Sequence, residues 1–260
     1  MRPVATAVFA LVMLLPLATP APSEAREKMV WSGQTDGYDV RLSSGNLTLG
    51  KVGEPKPFFS GRMRFLNMLG STKPGEESHE VSWQLLSIVG PFVSFEQAGG
   101  GYAKGTAHPY AYRVYEAVDL RKKGRPAVLT DFFPRETILK ALLGDKVVQR
   151  ALAGKARPKT LDGLLKALDG YASEDCTYGF TADLLSRFAF HHLEGNQVAV
   201  RFGLSHGCEV ARGSLTTLGV LMPIPPSLKG ALEEAHQGRE GFLAARAPKD
   251  SGYFEVGTFE

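Results

Sequence analysis

Phe188-Ala189-Phe190-His191-His192-Leu193 and Gln197-Val198-Ala199-Val200-Arg201-Phe202 are two short runs rich in apolar residues, joined by Glu194-Gly195-Asn196. Aromatic and β-branched runs of this length on either side of a Gly-Asn turn predict an antiparallel hairpin. Working outward, Leu215 to Ile224 reads as a further strand, stopped by Pro223, Pro225 and Pro226. Ser227 is then placed to cap a helix carrying Leu228, Ala231 and Leu232. Upstream, Leu161 to Leu168 predicts a short helix ending at Gly170. Ile138, Leu139, Leu142, Leu143 and Val147 fall at helical spacing, and Thr130 or Asp131 is the expected cap of that helix.

The first half of the chain reads mostly as strand. Tyr38 to Leu42 alternates, turns at Ser43-Ser44-Gly45-Asn46 and returns as Leu47-Thr48-Leu49. Met63 to Leu69 reads as another short strand. Val81 to Val89 breaks at Gly90-Pro91 and resumes as Phe92 to Glu96, which fits a meander. Gly99-Gly100-Gly101-Tyr102-Ala103-Lys104-Gly105 is expected to be a loop. Phosphate-binding patterns need a helix after the glycines. Here Tyr110, Tyr112, Val114 and Val118 alternate with Ala111, Arg113, Tyr115 and Ala117, which is strand behaviour. Arg121 to Arg125 forms a basic hairpin tip closed by Pro126. The expected architecture is one α+β unit over residues 26–260, an antiparallel sheet with helices packed on one face.

Composition excludes several classes. The 260 residues are 43% hydrophobic and 22% charged, ordinary globular usage. Thirty basic against twenty-seven acidic residues give +3, too mild a balance for a nucleic-acid partner. Met1-Arg2 supplies a positive start, Val4 to Leu17 is almost wholly apolar, and Ser23-Glu24-Ala25 offers small residues for cleavage. That order predicts a signal peptide over residues 1–25 and a periplasmic or secreted product without a membrane span.

Export gives the only two cysteines, Cys176 and Cys208, a meaning. Outside the cytosol a single pair is most simply a disulfide. Closing a loop of about 33 residues removes roughly 3–4 kcal/mol of unfolded-state entropy. The rival reading is a reactive thiol at Cys208, with His206 on the same strand face.

Local motifs for catalysis or a cofactor are missing. His191 and His192, adjacent on a strand, are expected on opposite faces and so unable to share one ion. There is no HExxH, and Ser205-His206 has no G-x-S-x-G elbow, so neither metal nor cofactor is expected. Glu76, Glu77, Glu80, Glu96, Glu116, Asp119, Asp131, Glu174 and Asp175 read as solvated or capping groups. Tyr102, Tyr110, Tyr112 and Tyr115 are the more informative series, because tyrosine gives a large contact area at low entropic cost. Half-buried strand packing is the alternative account of the same residues.

Three blocks then stand in a suggestive order. The first is Val93-Ser94-Phe95-Glu96, the glycines, and Thr106-Ala107-His108-Pro109 opening an aromatic strand. The second is Val118-Asp119-Leu120, Gly124 and Val128-Leu129-Thr130-Asp131-Phe132-Phe133. The third is Phe188-Ala189-Phe190, Gly195, Val198 to Phe202 and Leu221-Met222-Pro223-Ile224-Pro225 before a helix. From about Glu80 to Leu232 this order resembles the domain of unknown function in the ectodomain of the lysozyme-sensing anti-sigma-V factor. A similar domain accompanies the catalytic module of a peptidoglycan deacetylase. Here Lys104-Gly105-Thr106 separates the glycines from Ala107-His108, and neither a sigma-binding segment nor a deacetylase module is present.

The resemblance implies a free-standing, non-catalytic envelope module that binds peptidoglycan or a wall-active protein such as a lysozyme. Tyr102, His108, Tyr110, Tyr112 and Tyr115 are the expected binding residues. An envelope hydrolase using His108 with Glu96 or Glu116 is the alternative.

Overall fold

The computed structural model describes residues 27–70, 77–103, 105, 107–173, 176–177, 180–204 and 215–256. Residues 1–25, where the signal peptide is expected, and Cys208 lie outside these. In chain order the first elements are β1 (Met29–Thr35), β2 (Tyr38–Ser43), β3 (Asn46–Lys51), β4 (Phe59–Ser60) and α1 (Gly61–Leu69). The long strands β5 (Glu77–Val89), β6 (Phe92–Ala103) and β7 (Tyr110–Asp119) follow, with β8 (Arg125–Pro126). Next come α2 (Arg135–Leu142), α3 (Lys146–Ala151), α4 (Leu161–Leu168), β9 (Ala172–Ser173) and β10 (Cys176–Thr177). The chain continues with β11 (Phe188–Glu194), β12 (Gln197–Leu204), β13 (Thr216–Pro223), α5 (Lys229–Gln237) and β14 (Gly252–Val256).

The class is α+β, and every strand pairing among the described residues is antiparallel. The centre is a five-stranded sheet in the order β14-β5-β6-β7-β8. Its two faces are covered differently. Val81, Trp83, Leu85, Val93 and Phe95 are buried with Val40, Leu42, Leu47 and Leu49 of the β1–β4 sheet and Phe65 of α1. On the opposite face, β11 packs across β5, β6 and β7, burying Leu86, Tyr115 and Ala189 together. Phe190 N–H donates to the Ser87 hydroxyl across that contact.

The three-stranded sheet β11-β12-β13 turns its other side to the helices. Phe188, Phe190, Val198, Val200, Phe202, Leu218 and Met222 join Ile138, Leu142, Leu164, Leu168 and Leu232 in the largest apolar cluster. Period-two alternation in the strands and helical spacing in α2 and α4 aim those residues inward. Helices α2, α4 and α5 therefore pack on the small sheet, α1 packs with the β1–β4 sheet, and the long sheet lies between the two sheets.

Several local expectations are corrected. Met63 to Leu69 is helical, not a strand. Ser60 accepts the Met63 N–H at 3.2 Å as the cap, and Gly61 and Phe65, four apart, are both buried. A short apolar run does not by its periodicity distinguish strand from helix. A Cβ on Gly61 would stand 2.6 Å from Trp83 Cε2, so glycine lets α1 start against the indole.

The helix expected after Thr130 is two helices. Leu129–Asp131 forms a 3-10 turn instead, Pro134 precedes α2, and Asp145 caps α3 by accepting from Val147 N at 2.7 Å. Ser227 lies in the 3-10 turn Pro226–Leu228, and α5 begins without a side-chain cap.

Gly99, Gly100 and Gly101 are not a loop but part of β6, paired to β5 and β7 throughout. Isolated glycines disfavour a strand, yet here the side chains of neighbouring strands need the space above them.

Candidate binding site

Cross-strand register sorts the tyrosines. Tyr110 opposes Gly101 and Tyr112 opposes Gly99, on the face that carries His79 and Trp83. Tyr102 opposes Ser78, and Tyr115 opposes Glu96, on the other face. The expected binding tyrosines are thus divided between two sides of one sheet. Tyr115 is 8% exposed, pressed on Gly203, whose missing Cβ would lie 2.7 Å from Tyr115 Cγ. Burial, then the nearby Glu96 carboxylate, raises its phenol pKa. Tyr115 is a packing residue.

Tyr110 and Tyr112 lie across the glycines. The Tyr110 hydroxyl and His79 Nδ1 are 2.8 Å apart, and His79 Nε2 is 3.1 Å from Glu77. The Tyr112 hydroxyl accepts from Gln97 Nε2 at 3.0 Å. Burial comes first in raising both phenols, with Glu77 adding to it at Tyr110. Large rings filling the space over a glycine strand restore packing that the glycines lack.

The other face holds the open surface. Beyond the edge of β11, the half of the sheet running from Gln84 to Ser78 borders open clefts among the described residues. Its floor is made of small residues, Ser82, Ala98, Gly100 and Ala111, in two adjoining clefts of about 360 and 380 Å³ that share Glu80 and Ala111. Six strand steps make this trough about 20 Å long.

One rim belongs to β14. Tyr253, opposite Ser82, donates its hydroxyl to Glu80 at 2.8 Å and to Glu255 at 3.1 Å. The Glu80 hydrogen bond foremost holds the phenol far above its ordinary pKa, because ionisation would set its charge against two carboxylates. Tyr102 and Pro109 border the far end. At the near end Arg113 Nε donates to the buried Glu96 at 2.7 Å.

His108 is exposed in the turn before β7. Glu96 sits opposite Tyr115, and Glu116 opposite Phe95, so the two carboxylates lie on opposite faces. Tyr110 to Tyr115 alone spans about 17 Å of strand. Neither carboxylate therefore reaches His108, and the acid/base arrangement of the hydrolase alternative is not assembled. Glu116 instead pairs with Arg64 of α1.

His191 and His192 also depart from expectation. Phe190 pairs with Val200 but His192 with Ala199, leaving His191 as the extra residue of a β-bulge. A bulge re-aims one side chain, and the two imidazoles meet with Nδ1 atoms 2.7 Å apart. They share a side rather than diverging. Burial, then Arg201 and His192, lowers the His191 pKa. Among the described residues, no group of three His, Cys, Asp or Glu side chains is placed to hold a metal ion. Among the same residues no helix is long and apolar enough to cross a membrane.

Tyr253 and Glu255 carry no signal in the sequence, and Glu80 reads there only as a solvated or capping carboxylate. The alternation Ser78-Glu80-Ser82-Gln84 against His79-Val81-Trp83 marks a strand with one polar face. The partnership with Gly252–Val256 has no local signal. No family model matches the chain, and no curated protein matches it.

Proposed function

We propose that this chain is an exported, non-catalytic binding module of the cell envelope, periplasmic or secreted, that holds peptidoglycan or a wall-active protein such as a lysozyme in the trough between β14 and β7. The observation that carries this reading is the trough itself. Small residues over about 20 Å of strand leave room for an extended polymer or an inserted loop. Tyr253, exposed on the β14 rim, offers a ring face, and Glu80 and Glu255 offer acceptors to sugar hydroxyls or basic side chains. The charged start and apolar run of residues 1–25, and the order of motifs between Glu80 and Leu232, support the envelope setting.

Pull-down of the chain from residue 26 with purified cell wall, and separately with lysozyme, tests the proposal. Retention by at least one is expected, with loss in Ala111→Trp, which fills the floor from an exposed position. Retention by neither, or retention unchanged by Ala111→Trp, overturns it.

A further inference from the structure

A cleft of about 530 Å³ lies at the other end of the five-stranded sheet, by the β5–β6 turn. That volume is in the range of small-molecule sites. One wall is apolar. The rings of Phe92 and Phe132 meet edge to face with centroids 4.6 Å apart, beside Leu228 and Ala231. Arg121 lies over the Phe92 ring, 4.9 Å from its centroid, so that ring already accepts a cation on its face.

The chain's own cations in this cleft are matched. Asp119, with its side chain 2% exposed, accepts from Arg121 Nε at 3.0 Å and Nη2 at 2.9 Å. Lys122 lies between Asp119 and Asp131. Also lining the cleft, Asp36 donates its backbone N–H to Glu240 Oε1 at 3.1 Å, which fixes the two residues side by side. Among the described residues neither of these two carboxylates has a cationic side chain within ion-pairing distance. Asp36 acts on Arg121 only at longer range.

We infer that the cleft binds an organic cation, an alkylammonium group on an aliphatic stem. The ammonium lies between Asp36 and Glu240, and the stem lies along Phe92 and Phe132. Two carboxylates beside an apolar wall do not form the oxygen shell that a calcium or magnesium ion requires. Both carboxylates are exposed at the cleft mouth, and an anion there would meet unneutralised like charge. The same chemistry arises from a free diamine or from a lysine side chain of a partner peptide.

Calorimetric titration of the chain with pentane-1,5-diamine and with acetyl-Gly-Lys-Gly-amide distinguishes these sources, the tighter binder assigning the origin. Pentane-1,5-diol and calcium serve as controls. Asp36→Asn with Glu240→Gln should weaken the bound probe by roughly tenfold or more, and asparagine still suits the positive φ of 52° at Asp36. Ser227→Trp, at an exposed rim position, should abolish binding without removing a charge or lowering the melting temperature. Binding of neither amine, equal binding of the diol, displacement by equimolar calcium, or an unaffected double variant overturns the inference. The trough is remote from this cleft, so failure of the wall or lysozyme pull-down leaves this result independent.

Discussion

Gly101 lies beneath the ring of Tyr110: a Cβ in its place would stand 2.9 Å from Tyr110 Cε1 and 2.5 Å from His79 Nδ1. The glycine thereby permits the Glu77–His79–Tyr110 chain of polar contacts across three strands. With His79 Nε2–H donating to Glu77, Nδ1 is free to accept from the Tyr110 hydroxyl. Gly101→Val is expected to lose about 1–3 kcal/mol through forced displacement of both rings. Gly219, also in a strand, has no atom within 4 Å of its missing Cβ. Gly219→Ala should change stability by less than about 0.5 kcal/mol. Urea midpoints for the two variants test the pair; equal effects would refute the steric account.

The same positions show what was legible in the sequence. The β11–β12 hairpin and the β2–β3 turn are readable because alternation and turn residues sit in one short window. Gly99 to Gly101 read as loop because the stabilising partners, Tyr110 and Tyr112, belong to another strand and contribute only after pairing. Strand parity already separates Tyr110 and Tyr112 from Tyr115, yet nothing local says that β11 and β12 cover Tyr115 and stop short of Ala111. Tyr253 and Glu255 complete the trough from more than 150 positions away in sequence, a relationship that no window of local pattern contains.

Glu96 is 7% exposed and takes a charge-assisted hydrogen bond from Arg113. Removing the guanidinium would leave an uncompensated buried carboxylate. Arg113→Met is therefore expected to cost about 2–4 kcal/mol, tempered by the partial exposure of Arg113. The double variant Glu96→Gln/Arg113→Met should recover at least half of that loss, since no buried charge is then unpaired. Additive losses in denaturant unfolding would show that the pair does not act as a unit.

Cys176 forms part of the short β9–β10 ladder, its backbone paired with Ser173, while Cys208 lies outside the described residues. We propose that the two are joined after export. Thiol titration of the denatured, unreduced chain should find no free thiol. Reduction should lower stability by about 2–4 kcal/mol while leaving far-UV circular dichroism unchanged, because apolar packing of the sheets and helices supplies the core. Two titratable thiols in the exported, unreduced protein would exclude the bridge.

The His191 bulge makes stability depend on pH with a definite sign. Burial, then Arg201 and His192, holds the folded-state pKa of His191 below its ordinary value. Between the folded value and about 6.5, the unfolded chain binds more protons than the folded one, so stability rises with pH in that window. On acidification the contribution is lost from about pH 6.5 downward and becomes constant below the folded pKa. His191→Gln should flatten this part of the curve. Arg201→Gln, at an exposed position across the hairpin, should move the His191 midpoint upward by removing a repulsive charge. NMR titration of the imidazole, with urea midpoints from about pH 5 to 8, measures both effects. A His191 midpoint at or above the ordinary histidine value, or an unchanged midpoint in Arg201→Gln, would contradict the electrostatic account of the bulge.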